Sequence, residues 1–254
     1  MTAAVRYAGR SDIGRYRSTN QDRWGADPDQ QLFIVADGVA CSTDGALAAH
    51  LTVELLPSYV ARHLKPADLN STEAPELLGR AVAEFSDHFR DYSTTDERVA
   101  GATTTVVAVV IAGERALVAH LGDSRAYLCR DQRLQRLTRD HTVLQDLIDA
   151  NAVKPEDAAR HPARNTLSRH VAMYPRAAPD AAAVDLETGD RILLCSDGLY
   201  GPVDEPTLAQ LLTQHDAPED ACAALIEAAN QAGGPDNITA VVIDVIRDAT
   251  DDDM

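Results

Sequence analysis

One stretch near the start of the chain constrains the fold more than any other. Residues 32–36 are apolar or small and carry no charge, and they end at Asp37-Gly38. Such a run is typical of a buried strand that presents a carboxylate at its exposed end. Glycine after the aspartate allows the main chain to approach a ligand closely and places a carbonyl oxygen beside the carboxylate. The stretch therefore predicts a corner of hard oxygen ligands suited to a divalent cation.

The same pattern recurs later in the chain. Asp197 follows the apolar run at residues 192–195, and Asp236 comes just before the apolar run at residues 238–246. Asp123 is a fourth acidic residue at a strand junction. A single Asp-Gly is more often an ordinary turn, but three acidic corners beside apolar strands favour one shared site.

The candidate ligands have a definite chemical preference. Carboxylates of Asp37, Asp197 and Asp236, with the Gly38 carbonyl, form an all-oxygen set without histidine, which selects Mg²⁺ or Mn²⁺ over zinc or copper. Two such ions bridged by one aspartate would activate a water for in-line displacement at phosphorus. Arg17 lies on a polar strand-and-turn segment with Asp22, and its guanidinium is shaped to hold phosphate oxygens.

The charge and hydropathy of the chain exclude several classes of function. Forty acidic against 23 basic side chains give a formal charge of −17, which argues against a nucleic acid partner. The longest apolar stretch, residues 106–112, is much shorter than a membrane span, and the first ten residues lack the apolar core of a signal peptide. We therefore expect a cytoplasmic protein with no membrane partner.

The patterning predicts one layered domain over residues 1–246, followed by a disordered acidic tail at 247–254. Helical hairpins adjoin strand-rich sequence, and their apolar stripes require a sheet to pack on. Residues 142–179 form a long insert that could act as a mobile flap. Predicted helices cover residues 45–65, 75–92, a short segment from 142, 204–215 and 216–232; predicted strands cover 32–36, 102–111, 115–120, 126–129, 181–186, 190–195 and 238–246.

Two local features of these elements are specific predictions. Asp216 and Glu219 have the spacing of a capping box, which predicts that the last helix begins there. His141 precedes the short helix from residue 142, and its sequence context is compatible with a structural hydrogen-bonding role or with a catalytic one.

Taken together, the motifs resemble the metal-dependent Ser/Thr protein phosphatases of type 2C, the PPM family, in their compact bacterial form. The resemblance extends from about residue 11 to residue 245, and each motif occurs in the family's order. These motifs are residues 17–22, 37–38, 101–105, 122–125, 137–141, 161–165, 196–198 and 234–237.

The resemblance implies an α+β fold, a four-layer α-β-β-α sandwich of two antiparallel sheets flanked by helical hairpins. It implies two or three Mn²⁺ or Mg²⁺ ions and hydrolysis of phosphoserine or phosphothreonine on proteins by a metal-bridged hydroxide. Phosphorylated proteins, a cognate Ser/Thr kinase and its targets are the implied partners.

The resemblance also assigns roles to residues. Asp37 would bridge two metals, with Gly38 giving its carbonyl to the first. Asp22 would hold metal-bound water, and Arg17 would bind the substrate phosphate. The remaining implied ligands are Asp197 and Asp236 at the second metal and Asp123 with Asp197 at a third metal, and the implied supporting residue is Asn237.

The chain departs from the family pattern in three places. Gln21 stands where an acidic residue usually precedes Asp22, and Val39-Ala40-Cys41 replaces a glycine-rich continuation. Position 39 also lacks the histidine general acid of animal enzymes. None of these departures removes an inferred ligand.

Two competing interpretations stay open, the first of them motivated by the altered loop at residues 39–41. One is a pseudophosphatase that binds phosphoproteins or a kinase without turnover, and another is a phosphatase that resets a phosphorylated anti-sigma antagonist. A haloacid-dehalogenase mechanism would require a second aspartate two residues after Asp37, and Val39 occupies that place.

Overall fold

The computed structural model describes residues 4–39, 44–97 and 99–246. Within these ranges the chain forms two five-stranded sheets in which every neighbouring pair of strands is antiparallel. The strands are β1 (Ala4–Asp12), β2 (Asp22–Asp27), β3 (Leu32–Asp37), β4 (Val106–Ala112), β5 (Arg115–Leu121), β6 (Arg125–Arg130), β7 (Arg133–Arg136), β8 (Asp180–Asp185), β9 (Arg191–Cys195) and β10 (Ile238–Ile246). The α-helices are α1 (Gly45–His63), α2 (Ala74–Ser93), α3 (Val143–Asp149), α4 (Asp197–Tyr200), α5 (Glu205–Gln214) and α6 (Pro218–Gln231).

The sheets and helices form four layers. The strand order is β1-β10-β9-β6-β7 in the first sheet and β2-β3-β4-β5-β8 in the second. Helices α5 and α6 cover the outer face of the first sheet, and α1 and α2 cover the outer face of the second. The inner faces of the two sheets pack against each other. The α-β-β-α sandwich implied by the resemblance is confirmed.

Strand β3 shows why the central strands are apolar along their whole length. Leu32 and Ile34 pack under α1 and α2, whereas Phe33 and Val35 pack between the sheets. Successive side chains of a strand point to opposite faces. A strand buried on both faces therefore needs an uninterrupted apolar run, and the run ends where the chain reaches the open end of the sandwich at Asp37.

Most predicted elements are confirmed with shifted ends, but the predicted capping box is wrong. Helix α6 begins at Pro218 with Ala217 as its cap and without a side-chain capping bond. Proline fits the first helical turn because it needs no donor there. The Asp216 carbonyl instead accepts hydrogen bonds from Arg6 and Arg191. Strands β1 and β7, and β2 beyond Asp22, were missed because they lack a continuous apolar run. The edge strand β8 does contain such a run and was predicted.

The predicted flap contains little regular structure. It comprises α3, a 3₁₀ turn at Pro155–Arg160 and irregular chain up to β8. The predicted acidic tail and residues 40–41 of the altered loop lie outside the described residues. Within the described ranges, no helix has the length and apolar character needed to cross a bilayer.

Candidate metal centre

The sequence-predicted residues meet at one end of the sandwich. There a cavity of about 500 Å³ opens between the two sheets and the insert. The irregular part of the insert forms one wall through Asn165, Thr166, Leu167 and His170. The other lining residues include Arg17, Gln21, Asp37, Gly38, Val39, Thr103, Thr105, Asp123, Asp197, Asp236 and Asn237.

Asp22 lies beside this cavity and is the most buried of the acidic residues. It is paired with Asp37 across the β2–β3 ladder, which puts both side chains on the same face of the sheet. Its Oδ2 accepts hydrogen bonds from the hydroxyls of Ser196 (2.7 Å) and Thr239 (2.8 Å). Its Oδ1 is buried without a hydrogen-bond partner, so this oxygen is free to serve a ligand of the centre.

Asp197 and Asp236 are brought together by a close approach of the main chain. Asp197 is the first residue of α4, directly after β9, and Asp236 precedes β10, which pairs with β9. A Cβ atom on Gly198 would lie 1.9 Å from the Asn237 carbonyl oxygen and 3.4 Å from the Asp236 Cβ. Only glycine permits this contact, so Gly198 is the residue that lets the two acidic segments meet.

Hydrogen bonds from Asn237 join the segment that contains Arg17 and Asp22 to the segment that contains Asp236. Its Nδ2 donates to the carbonyl oxygens of Ile13 (2.9 Å) and Thr19 (3.0 Å), and its Oδ1 accepts from the Gln21 N–H at 2.8 Å. Both amide hydrogens and the oxygen of Asn237 therefore bond to the main chain of one loop. This geometry accords with the supporting role predicted for Asn237.

Arg17 lies at the mouth of the cavity. Its Nη2 donates to Asp236 Oδ2 at 2.6 Å, and both side chains remain about one-third exposed. This hydrogen bond raises the pKa of Arg17, against the opposing effect of desolvation. A fixed and accessible cation next to the carboxylates is placed to meet an incoming anion.

The turn at Asp123 completes the acidic cluster. Asp123 is 8% exposed. A short hydroxyl contact between Thr105 and Ser124 (2.6 Å) connects the turn to the segment that bonds to Asp37. Thr105 in turn donates its N–H to the Asp37 carbonyl at 2.8 Å and accepts the Asp37 N–H at 3.1 Å. The β4 strand end thus sets the position of Asp123 relative to Asp37.

The electrostatics of the cluster indicate that it is built for cations. Burial, and then repulsion from neighbouring carboxylates, raises the pKa of Asp197 to about 6 and that of Asp123 to about 8. Burial likewise raises the pKa of Asp22 to about 6, partly offset by the bonds from Ser196 and Thr239. Burial and four neighbouring aspartates, led by Asp22, raise the pKa of Asp37 well above its usual range.

The cluster has the charge and the donor atoms that divalent ions require. The crowded carboxylates have raised pKa values because they are buried and their negative charges repel one another, and hard cations would neutralise these charges. The buried Asp22 Oδ1 has no hydrogen-bond partner and would gain one from a ligand of the ions. The donor set contains only oxygen atoms, as Mg²⁺ and Mn²⁺ prefer. The residues present fit such ions.

Sequence reasoning missed several residues that support the site. Ser196 and Thr239 hold Asp22, Thr105 links Asp37 to Ser124, and Tyr200 donates to the Asp123 carbonyl. Hydroxyl residues are common in turns and strands, so no spacing marks them. Adjacency to the aspartates, as for Ser196 beside Asp197, is the signal that could have found some of them.

A second group of ligand-type side chains lies outside this cavity. Ligand atoms of His120, His141 and Asp180 lie within 4.8 Å of one another. The imidazole rings are stacked, however, with centroids 4.4 Å apart and planes 20° apart. A metal lies in the plane of each ring that binds it, and two nearly parallel stacked planes share no such point nearby. The stacking therefore opposes joint metal binding by the two histidines.

The hydrogen bonds of the histidine pair explain it as a structural element. The Gly122 N–H donates to His141 Nδ1 at 3.2 Å, and His120 Nε2 donates to the Arg139 carbonyl at 2.7 Å. Burial, followed by the neighbouring His120, lowers the pKa of His141 to about 4. His141 is therefore neutral at physiological pH, and its main-chain N–H also donates to the Gly122 carbonyl. These contacts support the structural interpretation of His141.

The fold and the cavity define a class: an α-β-β-α sandwich with an oxygen-lined metal centre suited to phosphoester chemistry. A family model described as protein phosphatase 2C matches residues 8–240. The chain belongs to the protein phosphatase 2C family.

Similar proteins agree with this membership. The chain is 35% identical over 246 residues to the serine/threonine protein phosphatase PstP of Mycobacterium tuberculosis. The aligned region covers 97% of this chain and 46% of that protein. It is 33% identical to the serine/threonine phosphatase stp of Listeria monocytogenes over 95% of both chains. The crystal structure of the PstP catalytic domain in complex with two manganese ions aligns with a TM-score of 0.78 and 33% identity, covering 95% of this chain and 98% of that one.

The relatives differ in length. The chain spans slightly less than half of the Mycobacterium tuberculosis protein and nearly the whole of the Listeria protein.

Proposed function

We propose that this chain hydrolyses phosphoserine and phosphothreonine in proteins with the help of two or three Mn²⁺ or Mg²⁺ ions. The observation that carries the proposal is the convergence of Asp37, Asp123, Asp197 and Asp236 on one cavity with Arg17 at its mouth. The manganese ions named for the PstP catalytic domain support the choice of metal.

The aspartates would divide the work of holding the ions. Asp37, at the end of β3, is near every other member of the cluster and is the candidate bridge, with the Gly38 carbonyl beside it. Asp197 and Asp236 meet across the Gly198 contact and would bind the second ion. Asp123 with Asp197 would hold a third. Bound ions would supply Lewis acidity, which favours deprotonation of a water and neutralises charge on the phosphoryl group.

The remaining roles fall to residues around the ions. Arg17 is accessible and would exchange its bond to Asp236 for bonds to phosphate oxygens, which orients the phosphorus for in-line attack. Asp22, anchored through Oδ2 by two hydroxyls, has a free Oδ1 that would accept a hydrogen bond from a water of the centre. Val39 cannot donate a proton, so the leaving serine or threonine oxygen would take its proton from water.

The substrates follow from the shape of the site. The cavity is open and shares Asp123, Asn165, Asp197 and Asp236 with an adjoining groove of about 660 Å³. Such continuity suits a phosphorylated side chain presented on an extended segment of protein. The proposal includes phosphoproteins made by a Ser/Thr kinase as partners and action in the cytoplasm, where such kinases have ATP.

The test is a manganese-dependent assay on p-nitrophenyl phosphate and on a phosphothreonine peptide. We expect turnover of both, abolished by chelation and by Asp37→Asn, a substitution that keeps the shape of the side chain. Activity no greater than that of Asp37→Asn would overturn the proposal and favour a protein that binds phosphoproteins without turnover.

A further inference from the structure

The turn that carries Asp123 leads into β6, and the helix that carries Asp197 follows β9, whose residue Cys195 pairs with Arg125. Beyond the end of this ladder, the side chain of Tyr200 joins the turn to the helix. The Tyr200 hydroxyl donates to the Asp123 carbonyl oxygen at 2.8 Å. Asp197 and Tyr200 are the first and last residues of α4 and are three positions apart, so they lie on the same side of that helical turn. Helix α4 therefore carries Asp197 at its start and bonds to the main chain of Asp123 from its end.

The ring of Tyr200 is itself fixed by Arg125. The guanidinium carbon of Arg125 lies 3.5 Å from the centre of the Tyr200 ring, a stacked cation–π contact. Arg125 is held in place by two bonds to Asp140, Nε to Oδ1 at 2.9 Å and Nη2 to Oδ2 at 2.6 Å. Its Nη1 donates to the hydroxyl of Tyr127 at 2.8 Å. The guanidinium has few alternative positions, so the Tyr200 ring that it supports is also restrained.

The support is specific to Asp123. Asp37 receives its main-chain contacts from Thr105, and the Asp236 segment is held by Asn237 and by the Gly198 contact. Tyr200 makes its hydrogen bond to Asp123. Loss of the hydroxyl would therefore loosen the Asp123 turn. Asp197 would stay in position with Asp37 and Asp236, because the Ser196 N–H donates to the Thr239 carbonyl and the Gly201 N–H donates to the Asp197 carbonyl.

We propose that Tyr200, stacked on Arg125, is a positioning residue that sets the separation of Asp123 from Asp197 and so determines how tightly the cation shared by these two aspartates is held. The inference rests on the proposed function, because it assumes that divalent cations bind at this cluster. Groups that orient metal ligands commonly change metal affinity by about tenfold or more when they are removed.

The test measures manganese binding rather than turnover. The full chain, stripped of metal with a chelator, is titrated with Mn²⁺ by calorimetry, and free Mn²⁺ is counted by electron paramagnetic resonance. Tyr200→Phe removes only the hydroxyl. We expect the number of sites to be unchanged, the site that includes Asp123 to lose affinity by about tenfold, and the other sites to match those of the unsubstituted protein.

Tyr127→Phe is the matched control. It removes a hydroxyl that accepts a hydrogen bond from Nη1 of the same guanidinium, whereas the bond to the Asp123 carbonyl comes from Tyr200. We expect its manganese affinities to equal those of the unsubstituted protein, even if it melts at a lower temperature. Equal weakening in both tyrosine variants would show a general effect of disturbing Arg125 and would contradict the specific role of Tyr200.

Asp123→Asn separates failure of this inference from failure of the proposed function. We expect it to lose the site that Tyr200→Phe weakens. If Asp123→Asn binds as many Mn²⁺ ions as the unsubstituted protein, or if Tyr200→Phe binds all of them with unchanged affinity, the inference is wrong while the hydrolase proposal stands. If the unsubstituted protein binds no Mn²⁺, both are wrong.

Discussion

Asp22 and Asp37 are cross-strand partners at the end of the second sheet, and their carboxylates share one face of the β2–β3 ladder. Like charges placed directly opposite each other destabilise a sheet. The arrangement persists because Ser196 and Thr239 hold one oxygen of Asp22 and because the surrounding chain fixes both strands. Repulsion between the two carboxylates therefore lowers the stability of the metal-free fold, and a bound cation would remove that repulsion.

Asp22→Asn should therefore make the metal-free protein more stable while weakening its metal binding. At pH 8 the free energy of unfolding in chelator should rise by about 1 to 3 kcal/mol, because a buried charge whose pKa is raised to about 6 is removed. Urea denaturation and Mn²⁺ titration measure the two effects. The control is Asp29→Asn at an exposed position, which should change neither; a destabilised Asp22→Asn would contradict the interpretation.

The metal-free protein should lose stability as the pH rises from about 4 to about 8. Asp22 and Asp197 have pKa values near 6 and Asp123 near 8 in the folded state, above the value of about 3.9 for an unfolded chain. At these three aspartates the folded state therefore binds more protons than the unfolded state. His141, whose pKa is lowered to about 4, has the opposite effect. The three aspartates outweigh this one histidine, so stability falls with increasing pH.

Saturating Mn²⁺ should reverse this trend, because ions bind the deprotonated carboxylates and only the folded state assembles them. Melting temperatures at pH 5 and pH 8, with chelator and with Mn²⁺, are the measurement. A melting temperature in chelator that increases between these pH values would count against the crowded cluster described above.

Arg17→Ala should raise KM for a phosphopeptide by about tenfold with a smaller change in kcat, since it removes binding of phosphate rather than the metal ligands. Arg15→Ala is the control. Arg15 is also exposed, and its main-chain bond to the Gly234 carbonyl is kept in the alanine variant. Steady-state kinetics compare KM and kcat of the two variants with those of the unsubstituted protein. An unchanged KM in Arg17→Ala would show that Arg17 does not bind the phosphate.

Asn237→Ala should destabilise the protein by about 2 to 4 kcal/mol, because the carbonyls of Ile13 and Thr19 and the N–H of Gln21 lose their partner. The loop that carries Arg17 should also become more accessible. Urea denaturation measures the first effect, and limited proteolysis near residue 15 measures the second. A loss below about 1 kcal/mol would mean that water replaces the amide at little cost.

The sequence predicted the elements of this fold well where buried faces require apolar residues at a regular spacing. The run at residues 32–36, the helix stripes after Asp44 and the final strand are buried on one or both faces, so apolar residues had to recur at fixed spacing. Edge strands such as Ala4–Asp12 and Arg133–Arg136 are buried less completely, and their sequence carries no comparable pattern. Proline at position 218 moved a helix start that capping chemistry alone had placed two residues earlier.

The sequence also predicted which aspartates to expect at the site, because the same acidic corner recurs beside three apolar runs. It did not predict their arrangement. Three contacts set that arrangement: the pairing of Asp22 with Asp37, the approach of Asp197 to Asp236 at Gly198, and the bond from Tyr200 to Asp123. They join positions that are 15, 39 and 77 residues apart. Such contacts depend on strand register and on the packing of two sheets, which local sequence does not encode, so only the tertiary structure decided how the carboxylates share one cavity.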